Sequence, residues 1–349
     1  MGFIACKIYL SFNEEYILQI KDSYTSNGII YFTPPPPLLS ATPNNTESTT
    51  TQSLSAEANI HFPSEGMDML YLAENKHFWH IARREFIYQE LSRILTRFCP
   101  DNSFKHTKIL DVGAGTGSVT RHFLEQGFDN IALGEIHPKG LEYAKTYGIK
   151  DLYCMDLLDV PFRDEFDCIF AFDVLEHIDE DLRALQNMKS MLKNNEKSLL
   201  ALSVPAHKWL WNAHDVSVHH KRRYTKAALT KLMLKCGFEI VCARYFFVSI
   251  TPLLWARAIL HNAPYPSDSV QDRDSKLHDS SLSDSSNGAG NIESTQEETL
   301  RDTPPPKIIN SSLLALCRLE NKLLNILPQH ISSPFGGSLL VVGKTRSRN

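Results

Sequence analysis

No apolar run in this chain is long enough to span a bilayer. The longest charge-free stretch, YFFVSITPLLWA from Tyr245 to Ala256, is too short and carries Pro252. Positive charge is not in excess: 36 Lys and Arg stand against 40 Asp and Glu, a formal net charge of -4. Bulk nucleic-acid binding needs a strong positive field, so no nucleic-acid partner is expected. No CxxC pair exists among the seven cysteines, Cys6, Cys99, Cys154, Cys168, Cys236, Cys242 and Cys317. Their odd number and scattered spacing read as free thiols in a reducing compartment, hence a cytoplasmic location. The N-terminus lacks a basic segment ahead of its apolar residues and a small-residue cleavage site, so no secretory leader is expected. Gly2 is followed at position 6 by Cys6 rather than Ser or Thr, and the myristoylation pattern fails.

What is present is an ordinary globular composition. The 349 residues are 42% hydrophobic, enough for one large or two ordinary domains with a sizeable core. Two stretches are too poor in large apolar residues to offset the entropy of ordering. They are 33–60, with its proline run and Ser/Thr/Asn tract, and 262–306. The expected organisation is therefore a poorly ordered extension over 1–65, one domain over 66–345 interrupted by a disordered insertion at 262–306, and a tail at 346–349. Organised sequence begins close to Met67, a plausible alternative start.

Within the domain, strands and helices alternate. HFWHIARREFIYQELSRILTRF has Ile87, Leu91, Ile94, Leu95 and Phe98 at helical spacing. KILDV reads as a buried strand, followed by a helix from Ser118 to Gln126 that Gly127 closes. NIALGEI is a second strand, and its helix has Pro138 near the start and Gly148 past the end. DLYCMD, FDCIFAFDVL and SLLALSVP are the third to fifth strands. Asp179, Glu180 and Asp181 open the helix that follows the fourth, at its positive end. Thr225 is expected to cap a helix ended by Gly237, FEIVCARYF is a sixth strand, and SLLVVGK a seventh. Such alternation predicts an α/β fold with a mostly parallel sheet covered by helices on both faces, and a ligand site beyond the carboxyl ends of the strands.

The segment ILDVGAGTG focuses the search for that site. Three glycines, Gly113, Gly115 and Gly117, with Ala114 between the first two, follow the first strand, and Asp111 stands two residues ahead. A glycine-rich turn into a helix N-terminus lets a ligand rest on bare backbone near a partial positive charge. Two cofactors compete. A dinucleotide fingerprint reads GxGxxG, but its third glycine position is Ser118 here.

The pattern acid-x-Gly-x-Gly-x-Gly resembles motif I of the class I S-adenosylmethionine (SAM) methyltransferases. Glu135 ending strand two, Asp156 with Leu157 after strand three, and FDVLEHIDED after strand four strengthen the resemblance to the UbiE/UbiG-like branch, types 11 and 23. HFWHIARRE, VPAHKWLWNAHDVSVHHKRRYT and PFGGSLLVVGK extend it over about 70–261 and 307–345. The resemblance implies a Rossmann-like seven-stranded mixed sheet with strand seven antiparallel, and SAM as cofactor. It departs from the pattern at His137, at His219, and in having a long excursion where the basic fold has a tight hairpin between strands six and seven.

On this resemblance Asp111, Gly113, Ala114, Gly115 and Gly117 hold the cofactor, Glu135 takes its ribose and Asp156 its adenine end. Arg83 is expected to clamp the SAM carboxylate, with Arg84 turned to solvent and Trp79 either covering the cofactor or filling the core. Asp173 lies at the mouth of the site, while Glu176 reads as a surface or salt-bridge residue. No ligand cluster with metal spacing accompanies Glu176 and His177, so no metal is expected. HDVSVHHKRRYT is expected to form the acceptor wall, with Arg222, Arg223 and Tyr224 as binding groups and His214, His220 or His219 as proton acceptor. FDVL stands where many amine methyltransferases carry Asn/Asp-Pro-Pro-Tyr/Phe, which favours a small-molecule hydroxyl over a nucleobase nitrogen. The apolar stretch from Tyr245 to Leu260 and the helix SSLLALCRLENKLLNIL would suit a quinone, lipid or lipid-linked sugar, and peripheral membrane contact is compatible with them.

Overall fold

The computed structural model describes residues 23–32, 64–98, 103–266, 303–328 and 331–346. Short buried strands rich in Val, Ile, Leu and Phe form the centre of one sheet, because the inner strands carry apolar side chains on both faces. The strands are β1 (Tyr24–Ser26), β2 (Ile29–Tyr31), β3 (Ile109–Val112), β4 (Ile131–Glu135), β5 (Leu152–Cys154), β6 (Cys168–Phe172), β7 (Leu199–Pro205), β8 (Phe238–Phe246) and β9 (Ser338–Thr345). Their order is β1-β2-β5-β4-β3-β6-β7-β9-β8. Strands β2 to β7 pair in parallel, and β9 lies antiparallel between β7 and β8.

The sheet thus has nine strands rather than the seven expected. The difference is the β1–β2 hairpin, which pairs Ile30 with Tyr153 and Tyr31 with Cys154 along the β5 edge. It lies within 1–65, expected from the sequence to be a poorly ordered extension. Asn27 and Gly28, both at positive φ, make its turn, and Ile29 is fully buried against Leu141 and Ile149. The rest of 1–65 before Ser64, and most of the 262–306 insertion, lie outside the described residues.

Helices cover both faces. On one side lie α1 (Ser64–Glu74), α2 (Phe78–Phe98), α3 (Ser118–Glu125) and α9 (Lys307–Ile326), and at the β5 edge α4 (Pro138–Thr146). On the other lie α5 (Asp181–Met191) and α7 (Lys226–Lys235). Alternate residues of each strand divide between the two cores: Leu339 and Val341 face α7, Leu340 and Val342 face α2. Thr225 caps α7, accepting from Ala228 N–H at 3.2 Å.

Between β8 and β9, α8 (Thr251–Leu260) and α9 stand where a tight hairpin would serve. A buried cation fastens them. Arg244, fully enclosed on β8, pairs with Glu90 at 2.6 Å and donates to the carbonyls of Leu324, Leu327, Pro328 and Ile331 past the last turn of α9. Those carbonyls have no partner within the helix, so the guanidinium does the capping, shared with Arg93 at Leu324 and Leu327. Glu320 of α9 does the reciprocal service, accepting from Val248 and Ser249 N–H at 2.9 and 2.8 Å ahead of α8. Among the described residues, Cys154, Cys168, Cys236, Cys242 and Cys317 are all buried, and no helix is long and apolar enough to cross a membrane.

Candidate active site

The glycine turn between β3 and α3 takes its shape from its own backbone. Gly113, Gly115 and Gly117 all sit at positive φ, at 60°, 57° and 80°. They are not equivalent. A Cβ on Gly117 would lie 2.9–3.1 Å from Leu133, Ala144 and Ile149, so that glycine serves the packing of α3 and α4 on the sheet. A Cβ on Gly113 would strike Val174. On Gly115 it would meet only the tip of Leu70, at 3.3 Å. Gly113, Ala114 and Gly115 form part of the wall of a cavity of about 920 Å³, room enough for a nucleoside thioether with an acceptor beside it.

The carboxylates of this region are buried and tied. Asp111 accepts from Thr120 Oγ1 at 2.5 Å, and burial pushes its acid up to about 7, against the opposing pull of Thr120 and Arg83. Glu135 accepts three backbone N–H groups, from Gly115 and Ile136 at 2.8 Å and from His137 at 3.0 Å. Burial raises its acid, and the three bonds oppose the rise. Glu135 therefore ties the glycine turn to the start of α4 and is absent from the cavity wall. Asp156 turns back to Leu158 N–H at 2.8 Å, and Leu157 is buried in the core. Glu135, the expected ribose residue, thus lies on the far side of the turn, and Asp156, the expected adenine residue, is likewise off the cavity wall.

Helix α1 covers that side. Tyr71 stacks on Tyr143 of α4 at 4.1 Å, Asp68 pairs with Lys139 at 2.5 Å and accepts from Tyr143, and Glu74 bonds Thr116 of the turn. Glu74 is buried on the cavity wall, and its acid is raised to about 7 by desolvation. Arg84, expected in solvent, instead donates to the Glu74 carbonyl at 2.7 Å and to Ser118 Oγ at 3.3 Å, joining α1, α2 and α3. No hydrophobic pattern announced α1 as a cover.

Arg83 and Asp173 meet at the centre of the cavity wall. Arg83 Nη1 lies 3.0 Å from Asp173 Oδ2, and Ser203 Oγ donates to Asp173 Oδ1 at 2.9 Å. Asp173 holds φ at +57°, a left-handed conformation that costs a non-glycine residue strain and occurs often at functional positions. Arg83 Nε is buried without a hydrogen-bond partner among the described residues, a donor left for an anionic group such as an amino-acid carboxylate. Trp79 also lines the cavity while stacking on Phe247 at 4.0 Å.

The acceptor-wall segment divides in two. Arg223 pairs with Asp215 through Nε and Nη2, at 2.8 and 3.0 Å, and lines the cavity. Asp215 also accepts from Asn212 N–H at 2.9 Å, closing a capping box on α6 (Ala213–Ser217), and from His220 Nδ1 at 2.8 Å. Burial alone would raise its acid, but His220 and Arg223 hold it down at about 2. Arg222 and Tyr224 point elsewhere. Arg222 pairs with Asp181 at 2.8 Å and Tyr224 donates to the same carboxylate at 2.9 Å, all three buried in the core beneath α5. The expectation that these two bind substrate is corrected. A double-basic segment alternates faces, and only Arg223 faces the cavity.

Further titratable side chains meet on the rest of the wall. His214 is on the wall, but burial pushes its imidazole down to about 3, so it stays uncharged and is a poor proton acceptor. His77, held down at about 4 mainly by burial, and the half-buried His80 join it from α2 and the turn before it. Glu176, read as a surface residue, is fully buried in the 3-10 turn Leu175–His177, and burial drives its acid well up. His220, distant in sequence, comes to Glu176 and His177. One ligand atom from each of the three lies within 4.8 Å of the others, so a cluster exists that sequence spacing did not show.

Parts of this chain are similar to known methyltransferases. Residues 78–243 match the Methyltransf_23 family model, described as a methyltransferase domain. The ubiquinone biosynthesis O-methyltransferase of Rickettsia conorii is 25% identical over 104 residues, 29% of this chain and 36% of that protein. Alpha N-terminal protein methyltransferase 1 of Dictyostelium discoideum is 34% identical over 90 residues, 24% of this chain and 33% of that protein. The matched stretch thus spans roughly a third of each relative. Magnesium protoporphyrin IX methyltransferase from Synechocystis PCC 6803, crystallised with bound SAM, superposes with a TM-score of 0.41 and 18% identity, covering 56% of this chain and 91% of that one. With the glycine turn, the buried acid ahead of it and the antiparallel last strand all in place, residues 78–243 are similar to the methyltransferase domain that this family model describes.

Proposed function

We propose that this chain transfers the methyl group of SAM to a hydroxyl oxygen of a small acceptor with an apolar body. The observation that carries the reading is a single continuous cavity that runs from Gly113–Gly115 past Arg83 and Asp173 to Glu176, His177 and His220. A donor on the glycine turn and an acceptor at the histidine end would share it.

SAM, when bound, supplies a methyl carbon already activated by its sulfonium. The chain's own part is mostly placement, which is worth several powers of ten when the reacting atoms are aligned. Gly113, Ala114 and Gly115 offer bare backbone, and Arg83 offers a free Nε to a carboxylate. Asp173, braced by Arg83 and Ser203, fixes the wall between donor and acceptor. His220 is locked by Asp215 with Nδ1 as donor, which leaves its Nε2 lone pair towards Glu176 at 3.9 Å. A hydroxyl arriving there meets oriented polar groups rather than bulk water.

The opposite wall is apolar: Leu253 and Leu254 of α8, and Ile309 and Leu313 of α9. Their outer faces expose Trp255, Ile259, Leu260, Ile308, Leu319 and Ile326, with Leu260 at 77% and Ile308 at 82%. Exposed apolar residues of this number, beside a cavity mouth, favour an acceptor such as a quinone, lipid or lipid-linked sugar, met at a membrane surface. The test is incubation of the protein with methyl-labelled SAM and a membrane-containing cell extract, followed by mass spectrometry. The expected product is an apolar hydroxyl compound one methyl heavier. Label found only on proteins or nucleic acids would overturn the reading.

A further inference from the structure

We propose that Glu176, His177 and His220 form a binding site for one divalent transition-metal cation, set in the acceptor end of the cavity. The argument begins with Glu176. Its side chain is fully buried, lies on the cavity wall, and neither oxygen has a hydrogen-bond partner on another residue. A carboxyl group left in this state carries a large desolvation penalty, and its natural complement is a charge arriving from the cavity.

The complement is already framed. His177 and His220 stand beside the carboxylate, their rings 4.7 Å apart edge to face, with ligand atoms of all three residues within 4.8 Å. A cation bound at about 2.0–2.2 Å to each would draw these atoms in by about an ångström. His220 carries the mark of a metal-ligating imidazole: Nδ1 donates to a carboxylate, Asp215, and Nε2 is left as a ligand. Asp215 is itself immobilised by Arg223 and the Asn212 N–H. The neighbouring Asp173 is engaged by Arg83 and Ser203 and need not ligate.

Two imidazoles and one carboxylate suit Mn²⁺, Fe²⁺ or Zn²⁺ better than Ca²⁺. Three protein ligands leave open positions. On the methyl-transfer reading above, on which this role rests, those positions take the acceptor's hydroxyl oxygen, and the cation eases loss of its proton to water.

The test is calorimetric titration of the full chain, dialysed against chelator, with Mn²⁺, a cation that the buried thiols do not favour. One ion per chain is expected, and Glu176→Gln and His177→Ala should each abolish binding while far-UV circular dichroism stays that of the parent. Should Glu176→Gln fail to fold, His177→Ala decides alone, since its ring is half-buried. No binding to the parent, or equal binding to the variants, overturns the site. A parallel titration with S-adenosylhomocysteine (SAH) keeps the two ideas apart. SAH binding without Mn²⁺ binding removes the cation site only, whereas Mn²⁺ binding without SAH binding removes the methyl-transfer reading only.

Discussion

Replacing Gly115 with valine puts a branched side chain on the bare part of the cavity wall. Two terms follow from the structure. The backbone there has φ +57°, so any L side chain costs about 1–2 kcal/mol of stability, and a β-branched one sits at the upper end. Leu70 Cδ2, at 3.3 Å from the new Cβ, is the tip of a flexible chain and gives way at little further cost. At about 2–4 °C per kcal/mol the melting temperature should fall by only a few degrees, leaving the protein folded. Affinity for SAH should fall far more, by at least about 100-fold, or about 2.8 kcal/mol, because the methyls occupy ligand space. Gly117→Ala is the control with the opposite signature. Its Cβ would overlap Leu133, Ala144 and Ile149, an overpacking cost of about 1–3 kcal/mol on top of the φ 80° strain. Gly117 is off the cavity wall, so the folded variant should keep SAH affinity within a few-fold. The assays are thermal melts and SAH calorimetry on both. A folded Gly115→Val with parental affinity, or two variants that lose binding in step with stability, refutes the division of labour between these glycines.

Other predictions concern charge and anchoring. Glu74 and Asp111, both buried with acids raised to about 7, hold a proton in the folded state that the unfolded chain releases near its ordinary carboxylate range. Stability should therefore decline as pH rises from about 5 to 7, by about 1.4 kcal/mol per pH unit for each group. Glu74→Gln should flatten that slope in urea titrations, and an unchanged slope would assign it elsewhere. Arg244→Ala removes one of the two cations on Glu90, Arg93 remaining at 3.2 Å, and takes several carbonyl caps from the end of α9, and should cost about 1–3 kcal/mol in chemical denaturation. A loss under 1 kcal/mol would mean that water reaches the site. Arg83→Ala should weaken SAH binding about 10-fold or more without lowering the melting temperature by more than a few degrees. Equal SAH affinity would show that Arg83 only braces Asp173.

The parts of the fold that were legible in the sequence are those set by local pattern. Strands β3 to β9 show as short apolar runs, Gly127, Gly148 and Gly237 end their helices at positive φ, and Pro138 opens α4. The β1–β2 hairpin was not legible, because three-residue strands of mixed polarity carry no periodicity and gain their burial only from β5. In the site, the glycine turn, Asp111, Arg83 and Asp173 could be read from motif and position. Glu176 could not, because burial of an acid depends on what folds over it. The approach of His220 to Glu176 depends on Asp215 being pinned by Arg223, a tertiary arrangement that spacing does not encode. The split between Arg222 and Arg223 follows from which acid each finds, Asp181 in the core or Asp215 at the cavity.

Calorimetric titration of the parent chain with SAH and, separately, with NADH is the most direct test of the central claim, that the glycine turn and its cavity receive an adenosyl thioether. The account predicts one SAH per chain and no measurable heat with NADH. Binding of NADH with none of SAH would contradict it.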